Sequence, residues 1–239
     1  MLSAMLKKMF SGRRGRAVAA TVIAASLPLL FIGANLDVLV NSGWLYSYNW
    51  WRNDVSTRTG LEKSELDRAS RTIKEYFAAP QSDELLDVRV RFGSTDVSVY
   101  KPREVEHMRD VKGLLRGFLA AGLWSGVAIV ATAALVLAVL KPKGWALLAS
   151  AVKWSAVASM AVVVVIGVAS LINFGAVFTV FHQLGFSNDL WQLSSSDYLI
   201  LMFPEQFWFE AVLLLGVLIA AEFAGMWLAT RWLARRYAG

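Results

Sequence analysis

Four long runs of apolar residues, almost free of charge, dominate the chain. Residues 17–36 lie between Arg16 and Asp37 without an ionisable side chain, 117–140 between Arg116 and Lys141, and 154–181 between Lys153 and His182. A fourth run, 211–230, lies between Glu210 and Arg231 and is broken only by Glu222. About 20 apolar helical residues cross a bilayer core of ~30 Å, so every run is long enough to span. The pattern predicts an all-α integral membrane protein with four transmembrane helices, at 17–40, 114–140, 154–181 and 207–230. Between them lie a basic N-terminus (1–16), a long loop domain (41–113), a short loop (141–153), an aromatic segment (182–206) and a basic tail (231–239). The first run exceeds the usual 7–15-residue core of a signal peptide, so a retained helix is expected despite the small pair Gly33-Ala34.

Inside the long loop the periodicity changes twice. Leu66, Ala69, Ile73, Tyr76 and Phe77 recur at helical spacing in a charged stretch that ends before Pro80, which predicts an amphipathic helix. Val88, Val90 and Phe92 then alternate with Arg89 and Arg91, Gly93-Ser94-Thr95-Asp96 has turn composition, and Val97, Val99 and Tyr100 suit a returning strand. The expectation is a small α+β insertion, one helix plus one β-hairpin, between the first two spans. Pro102 suits the first turn of a helix that continues through His107 into the second span. The segment 182–206 is rich in Phe, Trp and Tyr, residues that collect at headgroup depth; it is expected to be partly helical and interfacial, with Pro204 opening the last span.

Composition sharpens this reading. Hydrophobic residues make up 56% of the chain and charged ones 18%, against about 25% charge in an ordinary soluble domain. The net charge of +6 would suggest an anionic partner were it not so unevenly placed. Lys7, Lys8, Arg13, Arg14, Arg16, Lys141, Lys143, Lys153, Arg231, Arg235 and Arg236 all fall on one face if the chain crosses four times. The positive-inside rule makes that face cytoplasmic and the loops at 41–113 and 182–206 exoplasmic. With no cysteine, disulfides, thiolate metal sites and a cysteine acyl-enzyme are excluded, and two histidines leave little room for an imidazole metal site. No phosphate-binding glycine loop, nucleophile elbow or metalloprotease motif occurs, and no basic-aromatic surface suited to nucleic acid.

The two histidines, His107 and His182, are expected on the same side of the membrane, one just before the second span and one just after the third. A neutral imidazole there is a natural general base. Asp110 at i+3 is placed to orient the His107 ring and Arg103 at i−4 shares its face. Glu222, an ionisable residue inside a span, either has a functional partner or pairs with Arg231 near the cytoplasmic end.

The segment Glu106-His107-Met108-Arg109-Asp110-Val111-Lys112 resembles the His-x-x-Asp-Val-Lys signature of the bacterial lipoprotein intramolecular transacylase family. The run from Val177 to His182, followed by Phe186, Trp191, Leu199-Ile200 and Phe203-Pro204, is similar to that family's second histidine block. The resemblance implies an acyltransferase of the bacterial plasma membrane with no cofactor and no metal. Its substrates would be diacylglyceryl-modified lipoproteins, met among membrane lipids, with the sn-2 acyl chain passing to the same cysteine's α-amino group to give the lyso-form. It implies His107 and His182 as the catalytic pair with Asp110 as orienting residue, and Arg109, Lys112 and Trp191 as substrate contacts. Tyr46, Tyr48 and Asn41 are candidate pocket residues at the start of the loop. Two other readings start from the same residues: a haem- or quinone-linked membrane protein with the histidines as ligands, and a non-enzymatic membrane adaptor.

Overall fold

A computed structural model describes residues 12–79, 86–92 and 95–237. In chain order, the described elements are α1 (Arg13–Asn41), α2 (Gly43–Arg52), α3 (Val55–Thr59), α4 (Lys63–Ala78), β1 (Arg89–Phe92), β2 (Thr95–Ser98), α5 (Pro102–Leu140), a 3-10 turn (Lys141–Lys143), α6 (Gly144–Gly185), α7 (Tyr198–Met202) and α8 (Glu205–Tyr237). Among the described residues, three helical stretches are long and apolar enough to cross a membrane: Arg13–Asn41, Pro102–Gly185 and Glu205–Tyr237. The middle stretch, 84 residues long, comprises α5, the turn and α6. Lys141 in the turn takes a left-handed backbone conformation (φ 51°). Valines and other large apolar side chains along α6, among them Val164, Val165, Leu171 and Ile172, are exposed, as befits a surface facing lipid rather than water.

The residues divide into two compact units. The first comprises Met1–Asn35, Phe118–Gly167 and Leu214–Gly239. Its core gathers Ala19, Ile23, Leu27 and Phe31 of α1 with Val136 of α5, Leu148, Ala151 and Val152 of α6, and Ile219 and Phe223 of α8. Two glycines let α1 and α5 meet backbone to backbone. A Cβ on Gly33 would lie 2.9 Å from the Phe118 carbonyl oxygen and 3.0 Å from the Gly122 Cα, the close approach that small residues permit between membrane helices. Gly33→Leu is therefore expected to cost about 1–3 kcal/mol by overpacking, measured as a lower thermal midpoint and a lower yield of monodisperse protein in detergent. Glu222 has its partner here. Its Oε2 accepts the Asn35 side-chain N–H at 2.8 Å, while Phe31 and Phe223 meet edge to face at 4.9 Å. Arg231, the partner weighed from sequence, instead stacks over the Trp227 ring at 5.1 Å.

The second unit comprises Leu36–Gly117 and Val168–Leu213. The amphipathic helix is α4, which buries Leu66, Ala69, Ile73 and Tyr76. A capping box of Glu62 and Glu65 opens it, satisfying backbone donors that the first turn would leave unpaired. Glu65 also accepts the Arg91 backbone N–H at 3.0 Å, which ties α4 to the hairpin. Strands β1 and β2 are antiparallel, with Phe92 opposite Thr95 and Arg91 opposite Asp96. The turn is thus shorter than its composition suggested: Thr95 and Asp96 belong to β2, and Gly93-Ser94 lie outside the described residues. Val88 and Val90 are buried, but the whole of β2 is exposed, so Val97 does not return to the core and Val99 and Tyr100 do.

The insertion also holds more helix than the sequence suggested. Helices α2 and α3 precede α4, and Gly60 closes α3 in the left-handed region (φ 72°), where glycine carries no Cβ penalty. Helix α2 buries Leu45, Tyr46, Asn49 and Trp50. The Asn49 amide donates to the Met202 carbonyl at 2.9 Å, which holds α2 against α7.

Candidate active site

The site lies within the second unit, where the first turns of α5 face the end of α6 and the irregular chain that follows it. Pro102 at the start of α5 presets the helical φ and needs no partner for a missing N–H. From there Glu104 and His107 follow one turn apart. His182 stands on the last turns of α6, beyond the uncharged run 154–181, just as His107 precedes the run 117–140. The structure brings the two imidazoles together: their centroids are 5.8 Å apart and each residue is only 6% exposed. No hydrogen bond joins the rings.

Aromatic side chains enclose His182. Phe178, one turn earlier on α6, has its centroid 4.1 Å away, Trp191 5.1 Å, Phe181 5.3 Å and Phe186 5.5 Å. Phe186 also meets His107 edge to face at 5.2 Å. His182 Nδ1 lies 2.7 Å from the Phe178 carbonyl oxygen. A carbonyl only accepts, so Nδ1 carries the proton and the lone pair of the neutral ring is on Nε2. His107 Nδ1 is buried without a hydrogen-bond partner among the described residues.

Burial, and then the neighbouring His182 ring, push His107 down to about 4. Burial also lowers His182, against the stabilising pull of the Phe178 carbonyl. Both imidazoles are neutral at physiological pH. Because the folded pKa of His107 lies below its free value of 6.5, the unfolded chain binds more protons between pH 6.5 and 4, and stability is lost as pH falls through that window. From His107 alone, the detergent-solubilised protein is expected to lose about 2 kcal/mol between pH 7 and pH 5. His107→Gln should remove that component from denaturation midpoints measured at the two pH values; an unchanged pH dependence would contradict a buried neutral ring.

Polar contacts clasp the start of α5 to the chain after α6. Lys101 Nζ donates to Asp197 Oδ1 at 2.5 Å. Glu104, fully buried, accepts the Leu199 backbone N–H at 2.6 Å and the Lys101 backbone N–H at 2.8 Å. The Arg103 guanidinium donates to the Asp189 carbonyl. Burial raises the Glu104 carboxyl above its ordinary range, opposed by those two backbone donors, and the Lys101 ammonium holds Asp197 below its own. Glu104 and Asp197 were not among the sequence-derived candidates. Glu104 stands one turn before His107, and that i−3 spacing was the available signal.

The remaining candidates separate. Trp191 is in contact with His182, as given above. Asp110 does not bond His107: its Oδ2 accepts the Asn188 amide at 2.9 Å, so its favourable influence on a charged His107 is through space. Arg109 pairs with Glu106 at 2.7 Å on its own helix. Lys112 is 2% exposed, with its ammonium 4.2 Å from the centre of the Tyr76 ring. Tyr46 donates to the Val40 carbonyl at 3.0 Å, Tyr48 to Glu210 at 3.1 Å, and Asn41 to the Asp37 carbonyl at 2.9 Å. These last three are engaged around the start of α2.

A family model described as lipoprotein intramolecular transacylase Lit matches residues 21–208. An uncharacterized protein of Aquifex aeolicus (strain VF5) is 25% identical over 209 residues, 85% of this chain and 88% of its own length. The in meso structure of the membrane integral lipoprotein intramolecular transacylase Lit from Bacillus cereus superposes with a TM-score of 0.75 at 20% identity, over 94% of this chain and 98% of that one. A histidine-to-alanine variant of the same protein gives 0.74 at 20% identity, over 95% and 96%. The structural likeness is one of fold, and the family match covers most of the chain, including both histidine blocks. The chain therefore belongs to the lipoprotein intramolecular transacylase family and is a membrane acyltransferase.

Proposed function

We propose that this protein moves the sn-2 acyl chain of a diacylglyceryl-cysteine, at the N-terminus of a bacterial lipoprotein, onto the α-amino group of the same cysteine, leaving a lyso-form lipoprotein. The observation that carries the reading is the pair of buried imidazoles of His107 and His182, 5.8 Å apart in their aromatic enclosure. Ester aminolysis needs a free amine, and an α-ammonium has a pKa of about 8, so a neutral histidine is suited to take its proton.

His182 is the base, because its Nδ1–H is committed to the Phe178 carbonyl and its Nε2 lone pair is free to act. The amine nitrogen attacks the ester carbonyl and its proton passes to Nε2. The tetrahedral intermediate collapses, the bond to the glyceryl oxygen breaks, and the proton moves from His182 to that oxygen. His107, kept neutral by burial, donates its N–H to the developing oxyanion, which an uncharged imidazole does without first losing a proton. Amine and ester belong to one molecule, so positioning replaces a covalent intermediate, with effective molarities of roughly 10⁵ M or more in well-oriented cases. The aromatic enclosure excludes competing water. Trp191 contacts the substrate, Asp110 steadies the His107 turn of α5 through its bond from Asn188, and Arg109 and Lys112 steady the polar portion of the lipoprotein.

The same reading places four transmembrane crossings in a bacterial plasma membrane. Eighty-four residues in one helix would extend about 126 Å, several bilayers deep, so α5 and α6 are taken as separate spans that reverse at Lys141–Lys143. The basic flanks then face the cytoplasm and the site faces outward, where exported lipoproteins carry their lipid. Mass spectrometry of lipoprotein N-termini from cells with and without this chain tests the proposal. Expression should convert diacylglyceryl termini to N-acyl, S-monoacylglyceryl ones. Termini that stay diacylglyceryl would overturn it.

A further inference from the structure

A line of aromatic rings leads away from the reactive pair. From His182 it passes to Phe178, then to Phe174 at 5.9 Å, and then to Phe209 of α8, which meets Phe174 edge to face at 5.6 Å. All three phenylalanines are half-buried, so each offers a ring face to a neighbouring molecule. The line ends where α6 breaks: Asn173 has an extended backbone (φ −157°, ψ 89°) inside the helix, and its side-chain oxygen accepts the Ala176 N–H at 3.0 Å.

Beside the break is a cavity of about 250 Å³ lined by Ser170, Phe174, Glu205, Gln206 and Phe209. Ser170, Glu205 and Gln206 make part of its lining polar. Ser170 is 3% exposed and its hydroxyl has no partner among the described residues. Glu205 stands close against the backbone, since a Cβ on Gly175 would lie 3.4 Å from its Oε1.

We propose that this groove, from His182 along Phe178 and Phe174 to the cavity, holds the acyl chain during transfer, and that its polar end sets the chain length the enzyme prefers. The inference rests on the transfer reading, which puts the ester carbonyl at the imidazoles. From there the phenylalanine line offers the chain an apolar route. Past His182 the chain leads to the polar contacts of Asn188 and Asp197, whereas falling residue numbers on α6 enter the uncharged run 154–181. Twelve residues of α6, broken at Asn173, separate His182 from Ser170, a span on the order of 18 Å, the scale of an extended fatty acyl chain. Methylenes lying on the rings gain burial. A chain long enough to reach Ser170, Glu205 and Gln206 would strip water from polar groups that it cannot satisfy. Longer chains therefore gain nothing further.

Purified full-length protein in liposomes, offered synthetic diacylglyceryl-cysteine peptides with a constant sn-1 chain and an sn-2 chain of increasing length, provides the test. The parent kcat/KM should rise with each added methylene, by up to about fourfold, and then level. Phe174→Trp, which fills the groove, should move the plateau to shorter chains. Ser170→Ala combined with Glu205→Leu, which makes the end apolar, should carry the rise on to longer ones and gives an independent answer if the tryptophan variant does not fold. Product formed with the same length profile in both variants as in the parent overturns the groove. No N-acyl product from the parent at any length overturns the transfer reading itself.

Discussion

His107→Ala and His182→Ala are each expected to remove nearly all transacylase activity at unchanged protein abundance, and the double substitution should cost little more. A general base contributes typically 10²–10⁴-fold, and loss of one oxyanion donor about 10²–10³-fold. Groups that serve one transition state are strongly non-additive, and the 5.8 Å separation of the two rings makes them such a unit. The conservative changes separate their roles. Glutamine keeps a hydrogen-bond donor but no basic nitrogen, so His107→Gln should regain part of the lost rate while His182→Gln should not. The measurement is the initial rate of N-acyl product formation by each variant in liposomes. Either alanine variant working at close to the parental rate would sink the assignment, and rescue of His182 rather than His107 by glutamine would exchange the two roles.

Glu104→Ala is expected to have the next largest effect, although Glu104 is not assigned to touch the reacting atoms. Its carboxylate is fully buried and is the acceptor for the backbone N–H groups of Leu199 and Lys101. Removing it strands both donors, at about 1–3 kcal/mol each. It also removes one of the contacts that tie the chain after α6 to the helix that carries His107. A shift of about 1 Å between catalytic groups can cost ~10²-fold, so kcat should fall by that order together with the thermal midpoint. Glu104→Gln retains an acceptor oxygen for Leu199 and should recover most of the rate. Full activity in the alanine variant, with its midpoint lowered, would reduce Glu104 to a structural role.

That the chain is a helical membrane protein was legible because the cause is local. An uncharged run such as 154–181 satisfies its backbone polar groups within itself and has few states open to it besides a spanning helix. The start of α5 was legible for a similar reason, since Pro102 presets the first turn. The hairpin was legible only in outline. Alternation identified the first strand through Val88 and Val90, but Val97, which shares a face with its partner Val90, stays 37% exposed, because that face is covered over β1 and not over β2. Helices α2 and α3 escaped notice because Trp44 and Trp51, both exposed, blur the amphipathic period around Leu45, Tyr46, Asn49 and Trp50. The break at Asn173 left no trace among the surrounding apolar residues.

For the site, sequence alone determined the inventory: two histidines in distinctive blocks, no thiol, and aromatic residues clustered after the third apolar run. Residue types and spacing along one helix suffice for that. What tertiary structure decided was who meets whom across distant segments. It placed His182 beside His107 and Trp191, sent Asp110 to Asn188, and engaged Tyr46, Tyr48 and Asn41 around α2. It also brought in Glu104, whose partner Leu199 lies 95 residues away in the chain. The physical reason lies in burial and long-range hydrogen bonding. A carboxylate three residues from a histidine reads as a solvated charge until the fold removes its water, and only the fold supplies the backbone donors that then hold it.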